Sequence, residues 1–357
     1  MPCFAVTTAS ARYETLVERG CLARLPEHIP PRTGRIFVVS TADVWALYSR
    51  AFTAAMQGRA FHLITFPGGE SNKRMASVEV MAEEMVAHGG DRSSLVIAFG
   101  GGIVTDLAGF LAAVFMRGIP VIQIPTTLLA QVDAGVGGKT GANLVSGKNL
   151  IGAFHQPLAV LTDPDLLATL PGREYRAGIQ EVVKCGVIRS ASLFDLMRTR
   201  PADVLAKQPA VLEQMIAESV RIKCEVVSAD EKEGGLRKIL NFGHTAGHAL
   251  EAETGYTHFL HGEAVGIGMK AAAHLSRLTG RLGRSDCQAI VDTVELYGPF
   301  PALGSLDAAR VASHLKKDKK TLQGSVHFVL ATSIGSTEVV SGIDDATVLE
   351  AIHLSLK

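Results

Sequence analysis

Short apolar runs punctuate the first part of the chain, each closed by glycine, proline, serine or threonine. RIFVVS (35–40), FHLITF (61–66), SLVIAFGGG (94–102) and PVIQIPTT (120–127) are rich in β-branched residues and predict buried strands. Between them, SVEVMAEEMVAHG (77–89) and DLAGFLAAVFMRG (106–118) carry helical spacing. Alternating strand and helix predicts a wound, parallel, Rossmann-like α/β sheet with ligands at the carboxyl ends of its strands.

After HQPLAVLTDP (155–164) the pattern changes. Helical spacing dominates over 201–229, 243–254, 264–280 and 307–317, and VHFVLA (326–331) is the one convincing late strand. The expected organisation is an α/β domain over 1–160 and a mainly α-helical domain over 161–357. No internal repeat or low-complexity segment interrupts it.

Composition narrows the class. The 357 residues are 47% hydrophobic and 20% charged, which provides a sizeable core and excludes a disordered chain. Lys+Arg and Asp+Glu balance at 35 each, which argues against a general nucleic-acid or membrane-surface binder. No uninterrupted apolar run reaches the roughly 18 residues of a membrane span. The five cysteines (Cys3, Cys21, Cys185, Cys224, Cys287) are scattered and lack a C-x-x-C pair, so reduced thiols in a cytoplasmic protein are expected. MPCFAVTTASARYE has no basic segment followed by an apolar run, and no signal peptide is expected.

Two glycine-rich segments could hold anions. FGGGIVTD (99–106) follows a strand and opens a helix, where backbone N–H groups and a helix N-terminus suit a phosphate. It matches neither the dinucleotide fingerprint nor a P-loop, and a tight strand-to-helix connection would look the same. DAGVGGKTGANLVSGKNLIG (133–152) sets Lys139 and Lys148 among five glycines, with Asn143 and Asn149. A solvated surface loop is the plain reading; capture of a phosphate or carboxylate is the functional one.

NFGHTAGH (241–248) raises metal chemistry. On a helix His244, His248 and Glu251 share one face, and His261 follows in HGEAVGIG. No glutamate follows the first histidine, so a zinc-protease motif is excluded. Histidines with one carboxylate and an open position form a catalytic rather than a structural metal set. Locally, Glu251 or Glu263 would be that carboxylate. QEVVKCGVI (180–188) spaces Glu181 and Lys184 as an ordinary helical ion pair. Lys223 and Arg237 lie in RIKCEVVSADEKEGGLRKILNFGH, and Lys316, Lys317, Lys319 and Lys320 read as a solvated charge run.

Taken together, GGKTGAN…GKNLIGAFHQP, LNFGHTAGHALE and HGEAVGIGM resemble the bacterial 3-dehydroquinate synthases of the sugar phosphate cyclase superfamily, and the similarity spans essentially the whole chain. The resemblance implies conversion of 3-deoxy-D-arabino-heptulosonate 7-phosphate to 3-dehydroquinate and phosphate in the shikimate pathway. It implies NAD that is regenerated each turnover, one divalent metal (zinc or cobalt), and a homodimer. Carried over, Glu181, His244 and His261 resemble the metal ligands, which displaces Glu251. Asp133, Lys139, Asn149, Lys184, Lys223, Arg237, Asn241, His248 and Lys319 or Lys320 resemble substrate or catalytic contacts. Arg117 resembles an arginine that reaches the phosphate in the neighbouring subunit. Gly101, Gly102, Asp106, Thr126 and Thr127 resemble the NAD site, with Asp43, Glu70 and Lys73 nearby and Lys139 and Lys148 able to touch either ligand. The chain departs from the family's usual pattern in KCG, HTAGH and DAGVGG, none of which removes a polar group. The rival readings are a secondary-metabolism cyclase and, more distantly, a metal-dependent glycerol or alcohol dehydrogenase.

Overall fold

The structure is a computed structural model that describes residues 2–304, 306–315 and 326–357; Lys319 and Lys320, the alternatives for one expected substrate contact, lie outside them. The chain divides into two compact units. One comprises Met1–Pro171 with Lys223–Lys232, the other Gly172–Ile222 with Glu233–Lys357.

The first unit contains a seven-stranded sheet. Its strands are β1 (Cys3–Thr7), β2 (Arg12–Val17), β3 (Ile36–Thr41), β4 (His62–Phe66), β5 (Leu95–Gly100), β6 (Val121–Pro125) and, after the hairpin β7 (Lys139–Leu144) and β8 (Gly147–Phe154), β9 (Ala159–Thr162). Their spatial order is β1-β2-β9-β6-β5-β3-β4. Only β1 and β2 pair antiparallel; every other neighbour in this sheet is parallel. The run LVIAFG of β5 is apolar throughout because both faces are covered. Val96 and Ala98 enter one core with helices α2 (Met75–Ala87) and α3 (Gly102–Val114). Leu95, Ile97 and Phe99 enter the other with Phe52 and Ala55 of α1 (Ala42–Ala55).

Chain order reverses between β3 and β5: β4 lies to one side, β6 and β9 to the other. In open parallel sheets a ligand binds at such a reversal, outside the carboxyl ends of the strands. The Ser40 hydroxyl donates to the Phe99 carbonyl at 2.7 Å and ties these two strand ends together.

The glycine-rich segment 133–152, expected as a turning loop, mostly forms the antiparallel pair β7–β8. Gly137 and Gly138 take positive φ, while Gly141 serves close packing: a Cβ there would lie 2.6 Å from the Ile151 carbonyl oxygen. Gly109 of α3 would likewise clash, its Cβ 2.6 Å from a methyl of Thr140 on β7.

The second unit is mainly helical. It contains α4 (Gly172–Arg189), α5 (Ala191–Thr199), α6 (Pro201–Leu205), the start of α7 (Pro209–Ala229), α8 (His244–Glu253), α9 (His261–Leu278), α10 (Arg284–Leu296), α11 (Ala308–Leu315) and α12 (Asp345–Ser355). The single helix expected over 201–229 is two, because Pro209 lacks an N–H and restrains the residue before it. Lys207 at the break has a positive φ. The late strand β10 (His327–Ser333) pairs with β11 (Ser336–Ser341), which the sequence did not signal. The core of this unit joins Leu250, Ile267, Leu275, Leu315, Leu330 and Ile352 from α8, α9, α11, β10 and α12.

Candidate metal centre and cofactor-binding residues

Three helices of the second unit carry the candidate metal ligands: α4 brings Glu181, α8 brings His244 and α9 brings His261. Their close approach is written in glycines. A Cβ on Gly262 would lie 1.9 Å from the Ala177 carbonyl oxygen, and one on Gly268 would lie 1.9 Å from that of Gly243. A Cβ on Gly247 would sit 2.9 Å from the Ala264 carbonyl oxygen. Helix α8 starts at His244 because Gly243 takes a left-handed conformation with φ +80°. Helix α9 starts at His261 because the Glu263 carboxylate accepts the Leu260 N–H at 2.8 Å. Glu263 also accepts two hydrogen bonds from Arg173, at 2.7 and 2.8 Å. That use as a cap and ion-pair partner removes it from the metal set.

Glu181 Oε1 lies 3.7 Å from Nε2 of His244 and 3.8 Å from Nε2 of His261. Glu181 is 1% exposed, and Oε1 accepts no hydrogen bond among the described residues. A buried carboxylate oxygen without a donor is costly unless something positive meets it. Two imidazole nitrogens converging on that oxygen, at nearly the spacing of ligands each about 2.0–2.2 Å from one ion, fit a divalent metal. The other oxygen, Oε2, pairs with the Lys184 ammonium, itself buried one turn along α4. The His248 ring lies 5.5 Å from that of His244 and 5.8 Å from that of His261, centroid to centroid. His248, Glu251 and His261 form a second group with metal-ligand spacing, which shares His261 with the first.

Further polar groups of this unit stand upstream of α8. Arg237 is buried in the short 3-10 segment Leu236–Asn241. The Asn241 side-chain N–H₂ donates to Glu233 at 2.5 Å. Glu233 was not singled out from the sequence. Its signal was hidden in the charged run DEKEGG, yet it holds φ +61°, an uncommon conformation for a non-glycine residue.

In the first unit the expected NAD residues gather around the chain reversal. Asp43 follows β3 in the first turn of α1, and Gly101 and Gly102 follow β5 at the start of α3. A Cβ on Gly101 would press to 3.0 Å from the Thr127 methyl. Thr126 Oγ1 is buried with no partner among the described residues, while the Thr126 N–H donates to Gly100 at 2.9 Å. A tight glycine turn, a helix N-terminus and an unpaired hydroxyl fit a polar, phosphate-bearing cofactor. Lys73 is buried and donates to Asp106 at 2.5 Å and to Asn149 at 2.6 Å. Burial, the larger influence, raises the Asp106 carboxyl above its ordinary range, and Lys73 opposes it. Asn143 bridges Glu70, at 2.7 Å, to the Asn149 N–H, at 2.8 Å. Asp133 pairs with Lys223, which counts with this unit. Lys139 opens β7 and Lys148 lies in β8. Arg117 is exposed beyond α3, and both it and Met116 have positive φ, +68° and +49°.

Two family profiles match consecutive parts of the chain, together covering most of its length. The profile "3-dehydroquinate synthase N-terminal" covers residues 63–177, and "3-dehydroquinate synthase C-terminal" covers 178–321. A relative from Solibacter usitatus (strain Ellin6076), called 3-dehydroquinate synthase, is 57% identical over 356 residues, spanning 100% of both chains. Among solved structures, the 2-epi-5-epi-valiolone synthase of Streptomyces hygroscopicus subsp. jinggangensis 5008, with NAD+ and Zn2+ bound, superposes with a TM-score of 0.88 at 31% identity, covering 96% of each chain. A 2-deoxy-scyllo-inosose synthase complexed with carbaglucose-6-phosphate, NAD+ and Co2+ gives 0.87 at 26% identity, covering 98% of this chain and 99% of that one.

Proposed function

Because this chain belongs to the 3-dehydroquinate synthase family, we propose that it converts 3-deoxy-D-arabino-heptulosonate 7-phosphate to 3-dehydroquinate and phosphate. It is a lyase of the shikimate pathway that uses NAD and one divalent metal, zinc or cobalt. The observation that carries the reading is full-length identity of 57% to a 3-dehydroquinate synthase, against 31% and 26% to cyclases named for other products.

The conversion comprises transient oxidation of a substrate hydroxyl, elimination of phosphate, reduction, ring opening and intramolecular aldol closure. NAD, when bound, would supply reversible hydride chemistry with no net consumption of cofactor. Glu181, His244 and His261 would hold the divalent ion, which would supply Lewis-acid polarisation of the substrate hydroxyl oxygens. Lys184, paired with Glu181 Oε2 on the same helix, is a substrate-oxygen contact in this reading. Arg237 presents a planar, bidentate donor for a carboxylate or phosphate. Asn241, Lys223, Asp133, Lys139, Asn149 and Lys319 or Lys320 complete the substrate contacts in this reading. A ring nitrogen of His248 accepts the proton of the substrate hydroxyl. Asp43, Glu70, Lys73, Gly101, Gly102, Asp106, Thr126, Thr127 and Lys148 hold NAD.

Among the described residues no helix is long and apolar enough to cross a membrane. We infer a cytoplasmic homodimer in which Arg117, held in a strained conformation, reaches the substrate phosphate of the second copy.

The reading is tested by incubating the protein with the heptulosonate phosphate, NAD and zinc. One phosphate should be released per 3-dehydroquinate while free NADH stays near zero. Stoichiometric NADH with no phosphate would instead identify a dehydrogenase.

A further inference from the structure

His261 stands in two groups at once. Its Nε2 faces Glu181 Oε1 at 3.8 Å, and its Nδ1 faces Glu251 Oε2 at 3.5 Å. A neutral imidazole carries one lone pair and one N–H, on opposite nitrogens. It can therefore coordinate through only one side, and the group on the other side decides which. Glu251 is 1% exposed, so its carboxylate is held in dry surroundings where an imidazole N–H is a valuable donor.

We propose that Glu251 is a positioning residue for the metal centre. Its carboxylate accepts the Nδ1–H of His261, fixes that tautomer, and directs the Nε2 lone pair toward the oxygen of Glu181. The inference rests on Glu181, His244 and His261 being the ligands. Helix α8 then plays two parts on one face: His244 ligates, and Glu251, seven residues on, orients the ligand that α9 supplies. A carboxylate behind a metal-bound imidazole raises its basicity as well as fixing its plane.

The test is zinc affinity by chelator competition, with the visible spectrum of the cobalt form, in Glu251→Gln, His261→Ala and the double variant. Glu251→Gln should bind zinc about 10–100-fold more weakly and shift the cobalt bands, with an unchanged far-UV circular dichroism spectrum. In the His261→Ala background the same change should cost no further affinity, because Glu251 acts through His261. Where the Gln variant does not fold, Glu251→Asp, which keeps the charge but withdraws it by one methylene, is read in its place. Unaltered zinc affinity, or an equal loss in both backgrounds, overturns the proposal. So does a Glu251→Gln protein that loses zinc as fully as His261→Ala while Glu181→Ala keeps it, since Glu251 would then be a ligand. Full affinity in His261→Ala would instead remove the ligand assignment itself.

Discussion

Gly268 faces the carbonyl oxygen of Gly243 so closely that a methyl group on its Cα would lie 1.9 Å from that oxygen. No side chain can be accommodated there without moving α8 away from α9, and these helices carry His244 and His261. Gly268→Ala should destabilise the protein by about 1–3 kcal/mol through overpacking. It should also weaken zinc binding, although it removes no ligand. Denaturant unfolding of the metal-free protein reads the first effect and chelator competition the second. Normal zinc affinity in a folded Gly268→Ala protein would show that the helix spacing does not set the metal centre.

The proposed ligands should differ in what else they cost. Glu181 and Lys184 form a pair whose side chains are 1% and 2% exposed. Glu181→Ala removes a proposed ligand and takes the paired carboxylate away from a buried ammonium, so the metal-free protein should lose about 3–5 kcal/mol as well as its zinc. The His261 side chain is 32% exposed, and His261→Ala should abolish tight zinc binding with much less loss of metal-free stability. Histidine ligands must be neutral to coordinate, so wild-type zinc affinity should fall as pH is lowered. Metal content after dialysis against a chelator, set beside unfolding curves, checks all three statements.

Much of this was legible in the sequence, and the rest was hidden for identifiable reasons. Strands β3, β5 and β6 announce themselves because each is buried along nearly its whole length and so reads as a mainly apolar run, whereas the half-exposed edge strand β4 is marked by its β-branched residues. His244, His248 and Glu251 share a helix face by spacing alone. Glu181 could not be found that way: it lies on α4, and only the packing of α4 against α9 brings it to the histidines. Local spacing favoured Glu251 or Glu263 instead, and resemblance to the family was needed to displace them. The strand β11 escaped notice because its residues are mostly exposed and polar. The glycines of 133–152 suggested a turning loop, whereas Gly141 and Gly152 let β7 and β8 press against each other, and Gly109 of α3 lets that helix approach β7. Composition cannot distinguish a glycine needed for φ from one needed for space.

Lys73 gives a pH-dependent prediction. Its ammonium meets Asp106, whose side chain is 21% exposed and whose carboxyl burial already holds above its ordinary range. Lys73→Met should raise that carboxyl further and cost up to about 3 kcal/mol at neutral pH. A carboxyl raised in the folded state binds protons there that the unfolded chain does not, so stability falls as pH rises through that window. The deficit of Lys73→Met relative to wild type should therefore be largest near neutrality and shrink as pH is lowered toward about 4. Unfolding free energies of both proteins at several pH values check the sign. A deficit that grows on acidification would mean that Lys73 is not acting through Asp106.

His248 should separate proton chemistry from metal binding. Its ring is half-buried and stands beside the two candidate ligand histidines, yet it belongs only to the group that contains Glu251, not to the one that contains Glu181. If Glu181, His244 and His261 hold the ion, His248→Ala removes no ligand, and the purified variant should retain zinc. If its nitrogen takes up the substrate hydroxyl proton, turnover should slow by about 10²–10⁴-fold. The lost step precedes phosphate elimination, so phosphate and 3-dehydroquinate should fall together and no NADH should accumulate. Zinc content and phosphate release measured on one preparation decide the matter. Loss of zinc in step with activity would place His248 among the ligands, with Glu251 and His261, and would move the metal from one group to the other.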